Sequence, residues 1–320
     1  MSKNNSENAA FQANYFLKNA FEKYTNSIQE FMFWHRGLFL PPHKKEQYIQ
    51  QFMEEEQRRY YIEGVFSLPS VQFAITTRCT LRCRDCSVMI PHFGRDSHEH
   101  FDLTFLQFQR DFDSLLNSVD HIGTVFFLGG EPLLNKDLPQ MLDYVAGKNK
   151  VGLVSIVTNC TIVPSEKLLD VMANFRNKVF FGLSNYSTNS SLLPVLKRGE
   201  IIETLRHHGI KHTLDTGNQK WFKYELKKCN YNAGQLKSIF SGCIWHHCLY
   251  VLDGTLSVCP RSLIGHTLGA FELGVNDAIP LRKSNREEIR AGLVRFYEKD
   301  TLEACRYCRY VGVTEPATQL

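Results

Sequence analysis

The chain has 320 residues, a formal net charge of +4 and 43% hydrophobic residues. Ordinary apolar content with modest charge excludes wholesale disorder, and +4 is too weak to argue for nucleic acid as a partner. No window of about 18 apolar residues occurs, which excludes a membrane-spanning helix. The opening MSKNNSENAA is polar and unlike a secretory signal, so the expectation is a cytoplasmic protein. Ten cysteines in a reducing compartment argue for metal or redox chemistry over a disulfide framework.

Residues 1–68 read as a helical extension. Leu17, Phe21, Tyr24, Ile28 and Phe31 recur at four- and three-residue steps. Pro41-Pro42 stops that run, and a second helix is expected over about 44–62, before Gly64. The pattern then changes. Strands are expected at 71–76, 124–128, 153–157 and 179–183, with a weaker fifth at 211–214. Helical stretches lie between them, at about 103–118, 136–146, 165–175 and 191–208. No convincing sixth strand is legible. Short apolar strands alternating with helices predict βαβ units and a parallel sheet. From about 236 the alternation ends. Residues 249–259 read as a hairpin turning at Asp253-Gly254. A helix at about 285–299 then leads to Cys305-Arg306-Tyr307-Cys308.

Eight of the ten cysteines fall in two groups. The first, Cys79-x3-Cys83-x2-Cys86, follows directly on the first strand. A loop leaving a strand can present three thiolates to one face of a four-iron cubane and leave one iron open. A structural zinc site would call for four ligands in closed tetrahedral form. Gly129-Gly130-Glu131-Pro132 ends the second strand. Two glycines allow close backbone approach to a ligand, and Glu131 offers an acceptor for an ammonium group. Thr158-Asn159 ends the third strand and Ser184-Asn185 the fourth. All stand at C-terminal strand ends, where barrel and open-sheet α/β proteins place their sites.

Taken in order on successive strands, these motifs resemble the radical S-adenosylmethionine (SAM) enzymes. The resemblance implies a partial (β/α)6 TIM-type barrel over 69–235. It implies a SAM-binding [4Fe-4S] cluster on Cys79, Cys83 and Cys86. It implies SAM held by Gly129, Gly130 and Glu131, with Thr158, Asn159 and Ser184 as further contacts. One departure stands out. The residue before the third cysteine is commonly aromatic in that family, and here it is Asp85.

The second group is Cys243-x4-Cys248-x10-Cys259, then Cys305-x2-Cys308. It resembles the C-terminal twitch module, the short relative of the SPASM extension. That resemblance implies a small cysteine-rich module over 236–320 with a second, auxiliary [4Fe-4S] cluster. Five cysteines compete for four positions, so Cys243 or Cys248 is spare. The spare thiol is either a hydrogen-atom donor to a substrate radical or a packed core cysteine. Structural zinc is the alternative for the whole group.

Other signals have plainer readings. Cys160 reads as a buried structural thiol, and Cys229 is uninterpreted. Residues 91–100, with His92, His98 and His100, read as a polar loop that either overhangs the site or is merely solvated. His246-His247 reads as hairpin packing. Lys197-Arg198 reads as a surface charge pair or a contact to the SAM carboxylate. The aromatic stretch with Phe31, Phe33, Trp34 and Phe39 is expected to pack on the barrel.

Three functions remain open. The first is hydrogen abstraction from a small hydroxylated metabolite (a sugar, aminocyclitol or nucleotide-linked sugar) in an oxidation or epimerisation. The second is modification of a ribosomally made peptide by epimerisation or thioether formation. The third is a non-catalytic iron–sulfur or zinc protein. The enzyme readings imply an electron donor such as flavodoxin or ferredoxin as a partner.

Overall fold

The computed structural model describes residues 65–94, 98–213, 221–243, 245 and 248–320. The helices expected before residue 64, and the His246-His247 pair, lie outside the described residues.

The apolar strand and amphipathic helix patterns alternate as expected. Strand β1 spans Ser67–Thr76, helix α1 Phe105–Ser118, β2 His121–Gly129, α2 Leu138–Ala146 and β3 Val151–Thr158. Next come α3 Glu166–Asn174, β4 Val179–Leu183, α4 Arg198–His207 and β5 Lys211–His212. Local chemistry sets several boundaries. Thr104 and Gln107 form a reciprocal capping box at the start of α1, and the Ser165 side chain caps α3.

The strands are parallel and in register, so cross-strand rows share a face. One row runs Phe73, Phe127, Ile156 and Phe181. All four are fully buried on the helix-covered side. Phe108 of α1 meets Phe73 edge-on, with ring centroids 5.1 Å apart, and stacks beside Phe112 at 5.6 Å. Burying each such ring contributes about 1.5–3 kcal/mol. That packing holds the C-terminal ends of β1, β2 and β3 side by side.

The remainder is arranged less predictably. Strand β6, Trp221–Leu226, leaves the main sheet. It pairs antiparallel with β10, Cys308–Thr314, in a separate two-stranded ribbon. Helix α5, Ala233–Ser241, lies between β6 and the hairpin strands β7, Tyr250–Leu252, and β8, Thr255–Ser257. Helices α6, Pro260–Thr267, and α7, Arg286–Glu298, flank a short β9, Ile279–Pro280.

The hairpin turns at Asp253 and Gly254, both at positive φ, as Asp-Gly hairpins require. It is not detached from the barrel strands. β7 pairs parallel with β1, giving the order β5-β4-β3-β2-β1-β7-β8-β9. The sixth parallel strand, missing from the sequence reading, is therefore β7, and it sits beside β1. Among the described residues this is an α/β fold with an open, mostly parallel sheet and no closed barrel. No helix among them is long and apolar enough to cross a membrane.

A buried ion pair ties the hairpin to the core. Asp111 of α1, fully buried, takes two hydrogen bonds from Arg282, at 2.7 and 2.8 Å. The same guanidinium reaches Asp253 at 2.9 Å.

Candidate metal and cofactor site

The cysteine loop leaves β1 under tight control. Thr76 donates to Asp102 at 2.6 Å, and Arg78 pairs with the other oxygen of Asp102 at 2.7 Å. Arg78 also donates to the Leu134 carbonyl. Buried Asn135 donates to the carbonyls of Ile75 and Leu103, at 2.7 and 2.9 Å. Neither Asp102 nor Asn135 carries a motif, so the sequence reading passed over both.

Cys79, Cys83 and Cys86 then lie close enough to act on one another electrostatically. Burial pushes the thiol of Cys79 up to about 11 and that of Cys83 up to about 12, and it raises Cys86 as well. Buried thiols of this kind stay protonated unless a metal draws off the proton. Among the described residues, no three His, Cys, Asp or Glu side chains stand close enough to share a single metal ion. Thiolates around a cubane stand farther apart than the four ligands of one tetrahedral zinc. Three buried thiols on one loop supply the soft donors that an iron–sulfur cluster takes.

The glycine pair has a clear steric reason. Gly129 takes φ +131°, and a Cβ there would strike the Thr76 carbonyl. A Cβ on Gly130 would strike the Arg78 carbonyl, with Cys79 beside it. The N–H of Gly130 donates to Thr76 and that of Glu131 to Arg78, both at 2.8 Å. The glycine pair thus lets β2 approach the chain's own cysteine loop.

Glu131 is fully buried. One carboxylate oxygen accepts from the Asn159 N–H at 2.7 Å and the other from the Leu133 N–H at 3.2 Å. Burial pushes its carboxyl up to about 7, against these bonds and one from Thr158. These three bonds leave one of the carboxylate's four lone-pair sites for a cation. The Asn159 side chain in turn donates to Cys79 Sγ at 3.5 Å and to Thr80 at 3.0 Å. The Ser184 N–H donates to the Thr158 carbonyl, aligning β4 with β3. Cys79, Glu131, Thr158, Asn159 and Ser184 are thereby brought together. Asp85 pairs with neighbouring Arg84 at 3.3 Å. Cys160 is fully buried at φ +63°, and its carbonyl receives the Lys197 N–H. His100 Nδ1 lies 3.3 Å from the Thr77 hydroxyl.

The second group also converges. Cys243, Cys305 and Cys308 all act electrostatically on Cys259, whose thiol burial raises. Cys308 is pushed up to about 11 by burial. Cys229 acts on Cys308 too, and its N–H donates to the Arg306 carbonyl at 2.8 Å. It belongs to this neighbourhood, which its Lys-rich context did not reveal. Arg261, only 4% exposed, lowers both Cys86 and Cys308 and so carries a buried positive charge near both groups. Asp277 braces the region, accepting from Lys299 at 2.6 Å and from the Glu303 N–H at 2.8 Å.

Residues 73–218 match the model of the Radical SAM superfamily. A GTP 3',8-cyclase from Syntrophomonas wolfei subsp. wolfei (strain DSM 2245B / Goettingen) is 29% identical over 94 residues, which is 29% of this chain and 27% of that protein. An S-adenosylmethionine-dependent nucleotide dehydratase from Selenomonas ruminantium is 29% identical over 128 residues, covering 39% of this chain and 42% of that protein. The chain thus spans less than half the length of these curated relatives. Among solved structures, BtrN in complex with AdoMet and 2-DOIA aligns with a TM-score of 0.46 at 16% identity, over 78% of this chain and 97% of that one. SuiB from Streptococcus suis aligns at 0.36 and 16%, over 53% and 37%.

Proposed function

We propose, from the match of residues 73–218 to the Radical SAM superfamily model, that the chain is a radical SAM enzyme acting on a small hydroxylated metabolite by oxidation or epimerisation. One observation carries the site assignment. The Glu131 carboxylate, the Asn159 N–H and amide, and the Cys79 thiol form one hydrogen-bonded unit across three strand ends.

In this reading Cys79, Cys83 and Cys86 hold a [4Fe-4S] cluster. Glu131 receives the amino group of SAM, with Gly129, Gly130, Thr158, Asn159 and Ser184 around it. When bound, the two cofactors would supply one-electron reductive cleavage of the sulfonium, the electron coming from an external donor, and through it hydrogen-atom abstraction from substrate. The chain's own part is to orient them and exclude water. Asn159 donates to a cluster thiolate, and Asp102 with Asn135 fixes the loop that carries all three.

The mutual interaction of Cys243, Cys259, Cys305 and Cys308 supports an auxiliary cluster in a module over 236–320. Five thiols compete for four positions, and the spacing of Cys243 to Gly254 resembles the twitch module more closely, so Cys248 is read as the spare. Both curated relatives are named for nucleotide chemistry, and this supports the nucleotide-linked end of the metabolite class.

Anaerobic reconstitution should yield about 8 Fe per chain, against about 4 if the second site takes zinc. Reduced protein with SAM should then form 5'-deoxyadenosine, faster with a matching nucleotide, nucleotide-linked sugar or aminocyclitol. No 5'-deoxyadenosine from fully loaded protein would overturn the enzymatic reading. Stimulation only by a peptide would overturn the substrate class.

A further inference from the structure

Residues 315–320 lie along the cysteine loop as an extra antiparallel segment. The Arg84 N–H donates to the Thr318 carbonyl at 2.7 Å, and the Leu320 N–H to the Arg82 carbonyl at 2.9 Å. Cys83 and Gln319 form a bridge between them. Ala317, at φ +56° and fully buried, turns the segment inward and packs with Leu81, Cys83 and Leu192. Asn189 donates to its carbonyl at 3.4 Å. Gln319 uses both ends of its amide. Its Oε1 accepts from the Arg82 N–H at 2.6 Å. Its Nε2 donates to the Ala317 carbonyl and, at 3.6 Å, to Cys83 Sγ.

We infer that Gln319 is a positioning residue of the SAM-cluster site, donating a hydrogen bond to the Cys83 thiolate that raises the cluster's reduction potential. The inference rests on Cys83 being a cluster ligand. The physical reason is general: hydrogen bonds to cluster sulfurs withdraw negative charge, so the reduced state costs less. The segment arrives by way of β10, which begins at Cys308. Gln319 therefore depends on the ribbon that also carries a candidate ligand of the second site.

The test is reductive titration of the full, anaerobically reconstituted chain. The signal followed is the electron paramagnetic resonance of the cluster that responds to added SAM. Gln319→Glu keeps the acceptor for Arg82 and removes the donor to Cys83. Gln319→Leu removes both. Thr318→Ala is the control, because among the described residues that hydroxyl bonds back to the Glu315 carbonyl, away from the cysteines. The expected result is a midpoint more negative than wild type in Gln319→Glu and Gln319→Leu, with Thr318→Ala unchanged and iron content equal in all. If Gln319→Leu fails to load, Gln319→Met, also uncharged, decides, because the added charge of Gln319→Glu lowers the midpoint by itself. An unchanged midpoint in the loaded uncharged variant overturns the inference. Failure of the wild-type chain to make 5'-deoxyadenosine would instead overturn the enzymatic reading and leave this comparison of midpoints standing.

Discussion

Arg282 is held by two carboxylates of very different standing, and their removal should have very different effects. Asp111 is fully buried and accepts two short bonds, which requires both oxygens and hence the ionised form. Burial pushes its carboxyl up against the pull of Arg282, while Asp111 holds the guanidinium charged. Asp253 has a side chain 62% exposed and one contact at 2.9 Å. Removing one partner of a buried pair costs about 3–5 kcal/mol, because the other charge is left desolvated. Arg282 retains 23% side-chain exposure and Asp253 as a partner, so Asp111→Asn belongs at the low end, about 3 kcal/mol. For a chain of this size that is a fall of about 5 °C in Tm. Asp253→Asn, an exposed pair, should cost about 0–1 kcal/mol. The double variant Asp111→Asn with Arg282→Met should recover part of the loss, since neither charge is then buried alone. The assay is urea unfolding followed by far-UV circular dichroism, with all variants in one cluster state. Equal losses for Asp111→Asn and Asp253→Asn would refute the reasoning, as would strict additivity in the double variant.

Three further outcomes are expected. Gly130→Ala places a Cβ against the Arg78 carbonyl, a backbone atom that cannot yield; chemical iron analysis should show about half the wild-type iron, about 4 Fe, with SAM cleavage lost. Cys259→Ser should also lose about 4 Fe, while Cys248→Ser keeps the full count of about 8. The reverse result would exchange their roles. Asp277→Asn should destabilise by about 3 kcal/mol in the same unfolding assay, because it takes the carboxylate away from the half-buried Lys299 ammonium. Lys299→Met should cost a similar amount, by leaving Asp277 without its cation.

Much of the site was legible in the chain alone because its parts are local. The spacing of Cys79, Cys83 and Cys86 fits one loop, and the glycine pair and Thr158-Asn159 mark strand ends by position. The alternation of apolar strands with amphipathic helices located β1 to β5 and most of the helices between them, since periods of 2 and 3.6 are short-range signals. Asp253-Gly254 specified its turn by backbone conformation. What the sequence could not carry was long-range. β7 is three residues long, too short for a period, and only pairing with β1 makes it the sixth parallel strand. β6 is recognisable only through β10, more than eighty residues away. Cys229 joins the second thiol group through that ribbon. Arg261 acquires its position near both groups, and Gln319 its contact with Cys83, only when distant segments pack. Such contacts depend on desolvation and hydrogen-bond partners that the folded chain creates, and no local pattern encodes them.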